Sequence, residues 1–165
     1  MSKILAFDQA TKVSAYSLFL DGEYVEVGVI DLRKMKDTSE RVRAMGVELC
    51  KTIERYKPDK VVIEEVAQQS NPNTLKLLAR VQGIIIGFCA AHDIETYIIE
   101  PSKWRSALHL KQGAGIKRKE LKVQSIEYVK EKYGLDVSED ECEAICINDA
   151  AHIKFAFEDD LWGTN

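Results

Sequence analysis

At 165 residues, 45% hydrophobic and 30% charged, the chain has the size and composition of one globular domain that can bury a core without disulfide or metal staples; a disordered, collagenous or repeat architecture is excluded. Its net charge of −4 argues against indiscriminate nucleic-acid binding. No signal-peptide pattern opens the sequence, and the most apolar run, Gly83 to Ala91, is far shorter than the roughly 20 residues of a membrane span, so a soluble, cytoplasmic protein with no membrane partner is expected.

Ile4 to Asp8 reads as a short buried strand that ends in a carboxylate. A charge in that position needs hydrogen-bond donors, solvent or a metal ion as partner. Gln9 to Lys12 reads as a turn, and Val13 to Leu20 alternates as a strand does. Asp21-Gly22 then predicts a tight hairpin, with Tyr24 to Ile30 returning antiparallel. Ser39 to Tyr56 carries Val42, Met45, Leu49 and Ile53 at helical spacing, closed by Pro58. Lys60 to Val66 is a further strand, in which Val61-Val62-Ile63 runs into Glu64-Glu65, so a second buried strand ends in acid. Alternation sends Glu64 and Glu65 to opposite faces, and one of them should face Asp8.

Asn71-Pro72 opens a long helix in which Leu75, Leu78, Val81 and Ile85 share a face, with Gly83 and Gly87 expected to permit close packing. Glu95 to Ile99 is the fifth strand. Pro101 to Arg105 starts a helix, Gln112 to Gly115 forms a loop, and a basic helix runs from Lys117 to Lys132 and stops at Gly134. The last helix starts near Ser138, with Glu141 completing a capping box, and runs to about Phe157. Residues 1–157 are read as one domain and 158–165 as a short acidic tail. The four cysteines, Cys50, Cys89, Cys142 and Cys146, fall in apolar periodic segments, which favours reduced, buried thiols over a zinc site built on Cys142, Cys146 and His152.

Charge is segregated along the second half. Lys103, Arg105, Lys111, Lys117, Arg118, Lys119 and Lys122 face only Glu120, whereas residues 136 to 160 are strongly acidic. Such neighbours suit a protein that holds phosphate with one segment and metal with the other. On the last helix, Asp140 and Glu143 are about 60° apart on the face shared with Ala144 and Ile147, while Asp149 falls about 180° from Asp140. Asp8, one strand-four glutamate, Asp140 and Glu143 would repel one another unless a cation lay between them. The chemistry that uses such a site is phosphodiester hydrolysis with two Mg²⁺ or Mn²⁺ ions about 4 Å apart.

Asp8 at the end of strand one, Ile63-Glu64-Glu65-Val66 at the end of strand four, and Asp140-Glu141-Cys142-Glu143-Ala144-Ile145 at the start of the last helix together resemble the RuvC-type Holliday junction resolvases, particularly their phage-encoded branch. The resemblance spans nearly the whole chain. It implies a ribonuclease H-like α/β fold: a mixed five-stranded sheet, its first three strands antiparallel, with helices on both faces and strand one beside strand four. It implies Asp8, Glu64, Asp140 and Glu143 as catalytic metal ligands, with two Mg²⁺ or Mn²⁺ ions per active site. It further implies a homodimer making paired nicks in four-way or branched DNA, inside the bacterial host cell if phage-encoded. Pro101 to Arg105 and Lys117 to Lys122 resemble the family's basic stretch; Lys103, Arg105, Lys111, Lys117, Arg118, Lys119 and Lys122 are the candidate DNA-binding residues, and Arg105 and Lys119 are the residues assigned to phosphate near the scissile bond. The chain departs from the family at Gln9-Ala10, where many members have Pro-Gly, at Glu143, where many have Asp, and after Glu65, where Ala67 to Ser70 replaces an aromatic wedge.

Three other readings fit parts of the pattern. Ile4 to Thr11 also resembles the phosphate-binding opening of sugar kinases and other actin-like ATPases, although those normally need two such domains. A ribonuclease H-like nuclease of different specificity and a non-catalytic junction-binding protein are the others.

Overall fold

The structure is a computed structural model that describes residues 1–67 and 71–155. Five strands, β1 (Lys3–Asp8), β2 (Val13–Leu20), β3 (Glu23–Asp31), β4 (Lys60–Glu64) and β5 (Glu95–Ile99), form a single sheet in the order β3-β2-β1-β4-β5. β1, β2 and β3 are antiparallel neighbours, and β4 and β5 run parallel to β1. Asp21 and Gly22 both adopt positive φ, 51° and 84°, as the two-residue hairpin requires. β4 ends at Glu64, two residues before the predicted Val66: the Glu65 amide still bonds to Ile99 O, but Val66 N turns back to the Glu65 carboxylate.

Among the described residues five helices cover the sheet: α1 (Thr38–Tyr56), α2 (Pro72–Ala91), α3 (Pro101–Ala107), α4 (Arg118–Tyr133) and α5 (Glu139–Phe155). The period-2 alternation of β1 and β4 divides the core between the two faces. Leu5, Phe7, Val61 and Ile63 point to α1 and α2, while Ile4, Ala6 and Val62 point to α3, α4 and α5. α5 is buried without a break from Ala144 to Ala151, because β1 and β2 lie on one side of it and α3 and α4 on the other. Its register over the sheet is fixed by polar groups. Asn148 Nδ2 donates to Ile4 O and to Ser17 O at 3.2 and 3.0 Å, and Ser17 Oγ donates to Ala144 O at 2.7 Å.

Local capping agrees with the sequence at most ends. Asp37 caps α1 through Glu40 N, Asn71 caps α2 through Asn73 N, and Ser138 and Glu141 exchange the two bonds of a capping box. α1 ends on Lys57, which takes the left-handed conformation at φ 46° just before Pro58. The close helix approach is not at Gly83 or Gly87, which have open space where a Cβ would lie. It is at Gly46 of α1, where a Cβ would come within 2.6 Å of Ile84. α2 also corrects the estimate of apolar length. Lys76 and Arg80 interrupt it in sequence, yet all 20 residues form one helix that by length and composition alone is long and apolar enough to cross a membrane. Val81, Gln82, Ile85 and Cys89 nevertheless give it a buried face against the sheet. The predicted end of the last helix at Phe157 and the acidic tail lie outside the described residues, as do residues 68–70 of the segment after β4.

Candidate active site

Asp8 and Glu64 are the last residues of two adjacent parallel strands, and both occupy even positions that point to the α5 side. Glu65 also borders the cavity, but its carboxylate turns toward α2 and accepts from Gln82 Nε2 at 3.2 Å. The first turn of α5 brings Asp140 and Glu143 over the same strand ends. Oxygens of Asp8, Asp140 and Glu143 lie within 4.8 Å of one another, close enough for one cation to bind all three. Glu64 lines the same cavity of about 410 Å³ but stands outside that close group. Its Oε2 accepts the indole N–H of Trp104 at 2.6 Å.

The electrostatics are those of a repulsive cluster. The Asp8 carboxyl is pushed well above its ordinary range, first by burial and then by Glu143, Glu64 and Asp140, with Lys122 opposing the shift. Glu64 is raised by burial first, against the indole bond that favours its charged form, and then raised again by Glu143, while Arg105 and Arg118 lower it. Carboxylates converging on one cavity form an all-oxygen donor set that suits a hard divalent cation such as Mg²⁺ or Mn²⁺. α5 adds the positive end of its dipole at Asp140.

Cations form one wall of the cavity. Arg105, Arg118 and Lys122 line it, together with Lys12 from the β1–β2 turn. Arg105 reaches Glu143 Oε1 at 3.5 Å and lies over the Trp104 ring at 4.3 Å, while its buried Nε has no partner among the described residues. Lys122 is ion-paired to Glu139.

A family model described as "Lactococcus phage M3 protein" matches residues 1–159. The chain belongs to that family. It is also similar to the crossover junction endodeoxyribonuclease RuvC of several bacteria. It is 24% identical to the protein of Legionella pneumophila strain Lens over 99 residues, 58% of this chain and 57% of that protein. With the Bacteroides fragilis protein it shares 28% over 109 residues, 64% and 58% of the two chains, and with that of Caldicellulosiruptor saccharolyticus 26% over 111 residues, 64% and 67%. The matched stretch therefore spans little more than half of the first two relatives and two thirds of the third. Among solved structures, Thermus thermophilus RuvC in complex with a Holliday junction substrate superposes with a TM-score of 0.74 at 13% identity, covering 94% of this chain and 96% of that one. The yeast mitochondrial Holliday junction resolvase Ydc2 gives 0.61 at 16% identity, covering 93% and 81%. The fold of this phage-family protein is thus the RuvC type of the ribonuclease H-like class.

Within that fold, all four sequence-assigned acids of the phage-family protein reach one cavity. The basic assignments divide. Arg105, Arg118 and Lys122 line the cavity, whereas Lys103, Lys111, Lys117 and Lys119 are exposed and do not. Lys119 thus stands outside the cavity lining. The inward stripe of α4 runs Val129, Ser125, Lys122, Arg118 at helical spacing, and Lys119 lies about 100° from Arg118. Sequence reasoning missed Gln9, Trp104 and Lys12. Gln9 bonds both backbone groups of Glu64, donating from Nε2 to its carbonyl at 2.5 Å and accepting from its amide at 3.2 Å, so a side chain prolongs the β1–β4 pairing. Only Gln9's position directly after Asp8 hinted at such a use.

Cys142 and Cys146 are buried in the core, with their thiols directed to Val137 O and Ser125 O, which gives them no role in a zinc site. Cys50 is only half-buried. Asp149 is tied to Tyr128 and Lys132 at 2.5 and 2.6 Å, away from the cavity.

Proposed function

We propose that the protein is a metal-dependent, structure-selective endodeoxyribonuclease that resolves Holliday junctions and related branched DNA by paired nicks. The observation that carries this reading is the convergence of Asp8, Glu64, Asp140 and Glu143, from two strand ends and one helix start, beside Arg105, Arg118 and Lys122. The similarity to proteins named as crossover junction endodeoxyribonucleases supplies the substrate class. Residues 1–157 serve as one nuclease domain, acting in the cytoplasm of the host cell.

Asp8, Glu64, Asp140 and Glu143 would hold two Mg²⁺ or Mn²⁺ ions, which would supply an activated water and charge stabilisation at the leaving oxygen. Arg118 and Lys122 hold the phosphate at the rim, and Arg105, placed between Glu143 and the cavity, exchanges its ion pair for a phosphate oxygen. The protein works as a homodimer, so that two sites cut symmetrically. α2 supports this reading, because only 22% of its apolar window is buried within one chain, and a second copy would cover more of it.

An immobile four-way junction and a linear duplex, each incubated with and without Mg²⁺ or Mn²⁺, test the proposal. Symmetric nicks in the junction alone, lost in chelator, are expected. Cleavage of neither DNA in either metal would refute the nuclease reading. Binding without cleavage would leave a junction-binding protein, and metal-dependent cutting without junction selectivity would leave a nuclease of other specificity. ATP hydrolysis would favour the actin-like reading.

A further inference from the structure

The carboxylates of the cavity are not held alike. Asp8, Asp140 and Glu143 crowd together, whereas Glu64 is drawn to α3 by Trp104. Trp104 is fully buried, and its indole N–H can only donate. Its bond to Glu64 Oε2 is short, at 2.6 Å, and among the described residues no group donates to Oε1. The indole therefore occupies one oxygen of the carboxylate and leaves the other.

Two features make this more than ordinary satisfaction of a buried donor. The donor is neutral, so it orients Glu64 without cancelling the charge that a metal would need. Its ring is also fixed from outside: Arg105 stacks on it at 4.3 Å and continues to Glu143. Adjacent residues of one short helix thus address two of the four carboxylates. Gln9 fixes the backbone of Glu64 on both sides of the peptide, so the side chain swings from a pinned base.

We propose that Trp104 is a positioning residue that makes Glu64 a single-oxygen metal ligand, and so biases the site toward small octahedral cations over Ca²⁺. Mg²⁺ demands near-ideal octahedral geometry and accepts few carboxylates, whereas Ca²⁺ accommodates more oxygens and takes carboxylates by one or both. With the indole N–H on one oxygen, a two-oxygen clasp would have to share that oxygen between proton donor and cation, which disfavours it against binding through the other oxygen alone. This inference rests on the metal-site reading given above.

Calorimetric titration of the DNA-free protein with Mg²⁺ and, separately, with Ca²⁺ tests it without any dependence on cleavage. Trp104→Phe should lower Mg²⁺ affinity by about 10–100-fold, the usual effect of losing an outer partner of a metal ligand, and lower Ca²⁺ affinity much less, so that the Mg²⁺/Ca²⁺ ratio shifts toward Ca²⁺. Because Phe leaves a smaller ring in a buried position, a second variant carries 3-benzothienylalanine at position 104, which keeps the bicyclic shape and replaces only the N–H; the same shift is expected. Equal losses for the two metals, or none, in the benzothienyl protein would overturn the proposal while leaving the metal site intact. Trp162→Phe makes Trp104 the sole tryptophan, and its fluorescence should then change saturably with Mg²⁺ and stop changing in Asp8→Asn. Failure of the unaltered protein to bind either metal would sink the metal-site reading itself, and this inference with it.

Discussion

Asp8→Asn should stabilise the metal-free protein and destabilise it relative to the parent once Mg²⁺ is present. Burial and three neighbouring carboxylates raise the Asp8 carboxyl well above its ordinary range. A carboxyl raised on folding binds more protons folded than unfolded, so its contribution to the metal-free protein is fully present below the ordinary aspartate value and is lost as pH rises from there through the raised one. Two unit charges at the 4.8 Å limit of the cluster repel by about 3.5 kcal/mol at an effective dielectric of about 20. Proton uptake and side-chain rearrangement relieve part of this, leaving about 2 kcal/mol for Asn to recover at alkaline pH. At about 2–4 °C per kcal/mol for a chain of this size, the variant should melt roughly 4–8 °C higher in EDTA near pH 8, and the difference should close only as pH falls to the ordinary aspartate range of about 4. Mg²⁺ at about 100 times its Kd would add about 2.7 kcal/mol to the parent and little to the variant, which reverses the order. Thermal unfolding followed by circular dichroism in EDTA and in Mg²⁺ reads both differences. A variant that melts lower than the parent in EDTA near pH 8, or that gains as much from Mg²⁺, would show that Asp8 is not the strained centre of a cation site.

The cavity wall makes further demands. Arg118→Ala combined with Lys122→Ala should weaken junction binding and flatten its dependence on salt, while Lys119→Ala leaves the salt slope almost unchanged; binding measured across a salt series separates them, and an equal effect of Lys119→Ala would mean that α4 meets DNA with a different face. Glu65→Gln should cut junctions as the parent does, because that side chain is engaged with Gln82 on the opposite face; loss of cutting would exchange the roles of Glu64 and Glu65. Asn148→Ala should cost about 1–3 kcal/mol in denaturant unfolding by stripping partners from the buried Ile4 and Ser17 carbonyls, and should also weaken Mg²⁺ binding, since α5 loses its register over Asp8. Unfolding at the parent's denaturant midpoint would remove Asn148 from that role.

What the sequence disclosed was carried by local signals. Asp21-Gly22 fixed a hairpin because few residue pairs tolerate two positive φ angles. The alternation through Val61-Val62-Ile63 placed Glu64 and Glu65 on opposite faces whatever the packing, and the capping box at Ser138 set the phase of Asp140 and Glu143. α4 lacked such a signal. Ser125 is buried there while Val123 and Ile126 are exposed, so hydrophobicity did not mark the inner face and Lys119 was preferred to Arg118 and Lys122. The same limit applies to glycine. Gly83 and Gly87 lie in an apolar stretch, but the contact that needs a missing side chain is the one between Gly46 and Ile84, two residues from different helices. Trp104 and Gln9 were unreadable for a related reason. Their bonds to Glu64 span 40 and 55 positions and depend on how α3 and the β1–β2 turn settle against β4.

These distant bonds also explain how a cluster of like charges keeps its shape. The groups that hold its framework are mostly neutral: the Gln9 amide on the Glu64 backbone, the Trp104 indole on the Glu64 carboxylate, the Ser14 hydroxyl closing the turn at Ala10, and the Asn148 amide under α5. Lysines in those places would have held the acids more strongly and cancelled the field that attracts a divalent ion. Neutral donors fix direction and leave the charge in place. The cations are instead kept at the rim, where Arg118 and Lys122 line the cavity, and in Arg105, whose Nε has no partner and whose contact with Glu143 is long at 3.5 Å. A site arranged in this way would bind a metal through the acids and still have positive charge to offer a phosphate.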